Sequence, residues 1–213
     1  MNTYFLSLTI LLLFNTCINI EVGEVYNLPK PKREGGMSLY EALNLRKSSR
    51  DFDGSTKITP EILSQALWSC YGVREGIYRV IPAAKSWYPF IIYVFLESGV
   101  YKYNPVGHAL IKLMDGDHRV KSGTQKTLVS KAAANFVLFG DLNKEIRVYK
   151  DKSIKREIIG VDVGHVTMAL SLFAAANNMK GVVRGEVDIA GLLEFLNLNP
   201  EDYKFGLAFS LGY

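Results

Sequence analysis

The sequence predicts an α+β fold: a central, mostly antiparallel sheet flanked by helices, with one long helix buried in a core or a subunit interface. Three observations carry that expectation. Phe90–Leu96 (FIIYVFL) is an unbroken apolar run of strand length, and Ser98-Gly99 turns it into a second strand-like stretch over residues 100–103, an antiparallel hairpin. Helical spacings are interleaved with such hairpin signals rather than with single strands, which favours α+β layers. Residues 161–178 are apolar all round, with Val163, Val166, Met168, Leu170, Leu172 and Phe173.

Taken in order, the first helix is predicted from Ser38 to about Ser48. Ser38 serves as N-cap, and Glu41 three residues on completes a capping box. A second helix starts at Thr59-Pro60-Glu61, with an N-cap, a proline at the first helical position and an acid in the first turn. Its apolar residues Ile62, Leu63, Ala66, Leu67 and Cys70 keep helical spacing, and Gly72 stops it. Residues 124–134 read as helix and 136–140 as another buried strand. Residues 144–157 are charge-dense and read as a solvated helix or excursion. Asp162 and His165 near the start of the apolar helix argue against a membrane span. Val182-Val183 is a short strand, Asp188 caps a helix with Ile189, Leu192, Leu193 and Leu196, and residues 205–211 close the chain as a strand. There is no internal repeat.

Residues 3–14 carry no charge, about the length of a signal-peptide apolar region and too short for an easy membrane span. This predicts a signal peptide or lipoprotein signal over residues 1–20 and a polar linker with Pro29, Pro31, Gly35 and Gly36 over residues 21–36. One domain follows over residues 37–213. The protein is then expected to be exported, periplasmic or associated with the cell envelope. Membrane contact would come only through a lipid on Cys17, although Phe14-Asn15-Thr16 before it is a poor lipidation signal. The alternative is a buried N-terminal strand or helix.

Composition closes off several classes. Hydrophobic residues make up 48% and charged residues 22%, so the chain is globular rather than disordered. A net charge of +4 is too small to mark a nucleic-acid binder, and none is expected as a partner. Two cysteines cannot build a disulfide scaffold or a cysteine-rich zinc site. His108, His118 and His165 are widely spaced, so no metal is expected. His165 reads as hydrogen-bonded near the start of a buried helix, and His108 and His118 as members of polar loops. GxGxxG, GxxxxGK[ST] and GxSxG motifs are absent.

Three segments offer chemistry. Arg46-Lys47-Ser48-Ser49-Arg50 puts three cations and two hydroxyls within five residues, a set that can grip a phosphate; the plain alternative is a solvated helix end. Pro82-Ala83-Ala84-Lys85-Ser86-Trp87-Tyr88-Pro89 is a small-residue turn that lets a ligand approach the backbone, with two aromatics for stacking or for the core. Val183-Arg184-Gly185-Glu186 is a strand running into a glycine turn, which can expose backbone N–H groups to an acceptor, or be an ordinary turn.

In this order the segments resemble the nitroreductase family of flavin-mononucleotide (FMN) oxidoreductases. The run Ser38-Leu39-Tyr40-Glu41-Ala42-Leu43 into Arg46–Phe52, then Ile58-Thr59-Pro60-Glu61-Ile62-Leu63 with Leu67-Trp68, is similar to the family's opening helices. Gly164-His165 and the VVRGEVD run are similar to its later core helix and flavin-facing strand. GVYKYNPVGHAL and DGDHR resemble the shorter branch that includes thiazoline-oxidase-like dehydrogenases. The resemblance spans roughly residues 35–213.

It implies a nitroreductase-like homodimer holding FMN. Arg46 and Ser48 would hold the phosphate, with Lys47 adding backbone or charge, and Arg50 would lie by N1 and O2 of the flavin ring. Ala83, Ala84 and Ser86 would reach the flavin bound mainly by the other subunit. Val183, Arg184 and Gly185 would present backbone N–H groups to N5 and O4, and Gln125 is a further ring contact. Two departures stand out. Ala83 replaces the loop's usual serine, and the chain stops at Gly212-Tyr213 without the family's frequent C-terminal basic phosphate ligands, so Arg33 or another cation would substitute.

The resemblance also implies ping-pong transfer from NAD(P)H or another donor to a small organic substrate. Because the flavin carries the chemistry, no residue is singled out as a catalytic group. Alternatives are a dehydrogenase or oxidase acting on a small molecule or peptide ring, and a non-catalytic flavin-binding surface protein.

Overall fold

The computed structural model describes residues 23–213; the expected signal segment, with Cys17, lies outside them. The chain runs through β1 (Val25–Asn27), α1 (Leu39–Leu45), α2 (Pro60–Tyr71), the short pair β2 (Val73–Glu75) and β3 (Tyr78–Arg79), β4 (Phe90–Leu96), β5 (Gly99–Asn104) and β6 (Ala109–Asp115). It continues with α3 (Lys126–Lys131), β7 (Ala134–Asp141), α4 (Lys152–Ala176), β8 (Lys180–Arg184), α5 (Ile189–Phe195) and β9 (Tyr203–Gly212). Seven strands form one sheet in the order β1-β6-β5-β4-β7-β9-β8. Every neighbouring pair in it is antiparallel, as the hairpin signals predicted.

The sheet is covered on both faces. One carries α2 and α4 over a core that includes Leu67, Phe136, Leu170 and Phe209. The other packs Phe95, Phe139 and Ala208 against Leu192 of α5. Strands buried on both sides explain why FIIYVFL shows no alternation.

The capping box of α1 forms as read: Glu41 N–H donates to Ser38 Oγ at 3.2 Å and Ser38 N–H to Glu41 Oε2 at 3.0 Å. The helix ends at Leu45, however, short of the expected Ser48. Ser49 N–H is drawn to the Gly181 carbonyl at 3.0 Å, so residues 46–50 run extended beside β8. The α2 helix starts and stops where Thr59, Pro60 and Gly72 placed it.

His108 and His118 lie in loops, as read, and between them runs β6, a strand paired with β5 that the sequence reading did not supply. Three other expectations are corrected. Residues 124–134 are helical only over α3, because Ala134 and Asn135 already pair with Leu211 and Ser210 of β9. The charge-dense stretch is not a solvated helix throughout: α4 begins within it under the Asp151 cap, and Lys155 is buried with Nζ donating to the carbonyls of Leu142 and Lys144. Within one chain α4 buries one face: Leu170 and Val166 face the core, while Val161, His165 and Met168 form an exposed stripe. The stretch read as a linker contributes β1, an edge strand on β6.

Candidate functional site

The predicted phosphate segment and the predicted flavin-facing strand meet. The Gly181 carbonyl points away from β9, toward Ser49. In a strand, backbone polar groups alternate sides with a period of two, so Val183 presents its N–H to the same open edge. The chain then leaves the strand at Gly185. Lys180 fastens the arrangement: its Nζ donates to the Asp51 carbonyl at 2.6 Å and lies 3.3 Å from the Asp51 carboxylate. Backbone hydrogen bonding and Lys180 hold the Asp51 carboxyl below its ordinary range.

The side chains along this edge are available. Lys47, Ser48 and Arg50 are exposed and Arg46 is half-buried. Among the described residues none of the three cations is in an ion pair. Arg50 and Gln125 line one cavity of about 380 Å³ with Lys126 and Lys131. Lys47 and Ser49 line a second, of about 280 Å³, with Asn178 and Lys180. Unpaired cations, a free hydroxyl and an open strand edge are the donor set that a phosphate-bearing, acceptor-rich ring needs, so the residues fit FMN.

Arg184 has a different environment from its neighbours. Its side chain is buried, with Nε on Ser210 Oγ at 2.9 Å, Nη1 on the Ser122 carbonyl at 2.8 Å and Nη2 3.4 Å from Asn135 Oδ1. All three acceptors are neutral. Burial pushes the guanidinium down to about 10, so it stays charged at neutral pH. By the same alternation the Arg184 N–H faces Ala208 of β9 rather than the open edge, contrary to the expected flavin contact, and its side chain anchors the loop around Ser122 that leads to Gln125. Thr124 Oγ1 ties the same loop to the Glu186 carbonyl at 3.3 Å.

Ala83, Ala84 and Ser86 do not join this group within one chain. Ala84 N–H donates to Asp162 Oδ2 near the middle of α4, whereas the 46–50 segment sits by Ala175 and Asn178 at its end. From Asp162 to Ala176 the helix advances about 20 Å. Lys85 and Ser86 hold φ of 53° and 55°, a left-handed turn that L-residues adopt reluctantly. Arg33, the suggested substitute phosphate ligand, stacks on Trp68 at 5.6 Å and lines a groove with Ala176 and Asn177.

The sequence reading passed over Lys180, the Ser122, Asn135 and Ser210 acceptors, and the role of Asp162. Only Asp162 left a local signal, an acid in an otherwise apolar helix.

A basic extended segment beside an open sheet edge defines the class: an α+β domain with a donor-rich edge that suits an anionic, ring-bearing cofactor. The chain belongs to the nitroreductase family, whose model matches residues 43–213 under the description "Nitroreductase family". It is an oxidoreductase of that flavin-dependent family. A protein of Methanocaldococcus jannaschii, provisionally designated a nitroreductase, is 27% identical over 165 residues, covering 73% of this chain and 81% of its own. The crystal structure of a protein from Ralstonia eutropha, also provisionally a nitroreductase, superposes with a TM-score of 0.79 at 29% identity, over 88% of each chain. A further such structure, from Desulfovibrio desulfuricans and in complex with FMN, has a TM-score of 0.59 at 17% identity. It covers 84% of this chain and 87% of its own.

Proposed function

We propose that this chain is an FMN enzyme that passes hydride or electrons from NAD(P)H or another donor to a small organic acceptor through one pocket, in ping-pong order. The observation that carries the reading is the Arg46–Arg50 segment, unpaired and accessible, held against the open edge of β8 by Ser49 and Lys180. FMN, when bound, supplies reversible acceptance of a hydride. Arg46 and Ser48 would grip its phosphate, with Lys47 adding charge. Arg50 would place positive charge beside the N1 and O2 edge, where negative charge accumulates on reduction. Val183 and Gly185 would offer backbone N–H groups to N5 and O4, with Gln125 at the ring. The Desulfovibrio protein solved with FMN supports the cofactor assignment.

The site is completed across a homodimer. One chain holds its two half-sites about 20 Å apart, and the exposed Val161, Met168, Leu39 and Leu43 supply apolar surface for a two-fold interface. Ala83, Ala84 and Ser86 then serve the partner's flavin. Export through the N-terminal apolar segment would put the enzyme out of reach of cytosolic nicotinamide pools and favour another donor.

Bound FMN and its midpoint potential in Arg46→Ala and Arg50→Ala test the reading. Arg46→Ala should lose FMN with little change in potential, and Arg50→Ala should lower the potential. Two variants with wild-type flavin content and potential would overturn the assignment. Anaerobic reduction by the substrate rather than by NAD(P)H would convert the enzyme from reductase to dehydrogenase. A flavin-loaded, active monomer in light scattering would remove the homodimer.

A further inference from the structure

On β3, outside the seven-stranded sheet, Arg79 lies between two tyrosines. Its guanidinium carbon sits 4.9 Å from the Tyr71 ring centroid and 5.6 Å from that of Tyr88. Its Nε and Nη1 are buried and have no hydrogen-bond partner. Buried guanidinium donors are nearly always satisfied, and one left unpaired calls for an explanation.

A cavity of about 360 Å³ adjoins Arg79, where β4 begins, β5 ends and β6 starts. Lys102 and Lys144 line it as well, with Tyr103 and Asn104. Among the described residues, none of these three cations is in an ion pair. Lys144 Nζ donates to the Tyr88 carbonyl at 2.7 Å. Loss of water and the charge of Arg79 push the Lys144 ammonium below its ordinary range, and Asp141 only partly opposes them. The Asp141 carboxylate already accepts the backbone N–H groups of Asn143 and Lys144. Three like charges converge on one hollow with no acid among them. The rest of the lining is apolar, from Phe90, Ile91, Pro105, Val106 and Ile111.

We propose that this hollow is a binding site for a small organic oxyanion, a carboxylate or phosphate on a compact apolar body. The oxyanion would neutralise Arg79, Lys102 and Lys144, and the apolar body would lie on Phe90 and Ile111. Aromatic faces already orient the guanidinium, so little side-chain freedom is lost on binding. The volume lies within the range of small-molecule pockets. No residue of the Arg46–Arg50 segment or of the β8 edge lines it, so the site does not depend on the flavin reading.

The test uses the flavin-loaded protein as purified, with benzoate and phenyl phosphate as separate probes and benzyl alcohol as the uncharged control. Saturation-transfer NMR reads binding, and acetylation of Lys144 by an amine-reactive ester, followed by mass spectrometry, reads site occupancy. At least one anionic probe should bind, weaken as salt rises, and protect Lys144, while benzyl alcohol does neither. The probe that binds tells carboxylate from phosphate. Lys102→Gln, at a partly exposed position that leaves the fold intact, should weaken binding about tenfold, and Arg79→Met should abolish it. Arg50→Ala should leave it unchanged. Binding that survives both Lys102→Gln and Arg79→Met, or that disappears in Arg50→Ala, overturns the proposal. So does a wild-type protein that binds neither anion.

Discussion

Asp162 on α4 accepts the backbone N–H of Ala84 through Oδ2 at 2.9 Å, and so holds a turn in which the next two residues have positive φ. The carboxylate is buried, with His165 Nδ1 3.7 Å from Oδ1. An acid in the core helix thus sets the conformation of a loop distant in sequence.

Asp162→Ala should leave the Ala84 N–H without a partner, at a cost of about 1–3 kcal/mol, and let Lys85 and Ser86 relax toward ordinary backbone angles. Asp162→Asn keeps an acceptor and should lose less. Thermal melts and the rate of tryptic cleavage at Lys85 read both effects. An Asp162→Ala protein that melts and resists trypsin like wild type would show that the contact does not hold the turn.

Arg184 and Gly123 should be coupled. A Cβ at Gly123 would run into Nη1 of Arg184, so Gly123→Ala forces the guanidinium off the Ser122 carbonyl. Arg184→Met strips donors from the Ser122 carbonyl and Ser210 Oγ, at about 1–3 kcal/mol for each acceptor left bare, while Asn135 Oδ1 keeps the Ser210 hydroxyl. With the arginine already gone, Gly123→Ala should add far less than it costs alone. Urea midpoints of the two single variants and the double variant give the answer, and strict additivity would disprove the coupling.

His108 should make stability fall on acidification. Ser64 O–H is spent on the Pro29 carbonyl at 2.5 Å, so His108 Nε2–H donates to Ser64 Oγ at 2.7 Å and Tyr103 O–H donates to Nδ1 at 2.9 Å. Burial holds the imidazole below its ordinary range, with the Pro29 backbone partly opposing it. The folded chain therefore resists a proton that the unfolded chain accepts below about pH 6.5. Stability is lost as pH drops from that point. His108→Gln should flatten the dependence of the urea midpoint on pH across this window; an unchanged slope would acquit the histidine.

Cys70 should be chemically silent. It is fully buried, its Sγ donates to the Leu67 carbonyl at 3.4 Å, and burial raises the thiol far above its ordinary range. Comparison of wild type with Cys70→Ala isolates its signal in a thiol-reagent titration. The Cys70 signal should appear only in denaturant, and rapid native labelling at neutral pH would show that the site opens.

Local signals were legible where one short stretch decides the outcome. Thr59 and Pro60 fix the start of α2, and Ser98-Gly99 fixes the β4–β5 hairpin. The β6 strand was hidden because Asn104–His108 turn chemistry and charged Lys112 and Asp115 look like loop in isolation; pairing with β5 gives them their strand. Likewise, nothing within residues 46–50 announces that Ser49 will leave its helix for Gly181. The cofactor segments were legible as residue types in a family order. The burial of Arg184 was not, since its acceptors come from residues 122, 135 and 210.

A helix cannot stretch, and the length of α4 that separates Asp162 from Ala176 keeps each chain's loop away from its own Arg46–Arg50 segment. In the proposed homodimer every pocket therefore borrows one wall. A subunit stripped of FMN by loss of Arg46 and another carrying a bulky residue at Ala84 are each inactive as pure dimers. Paired with one another, they bring both lesions together in one pocket and leave the second whole. Co-expression of two dead alleles should thus complement, with random pairing returning about a quarter of the wild-type pockets.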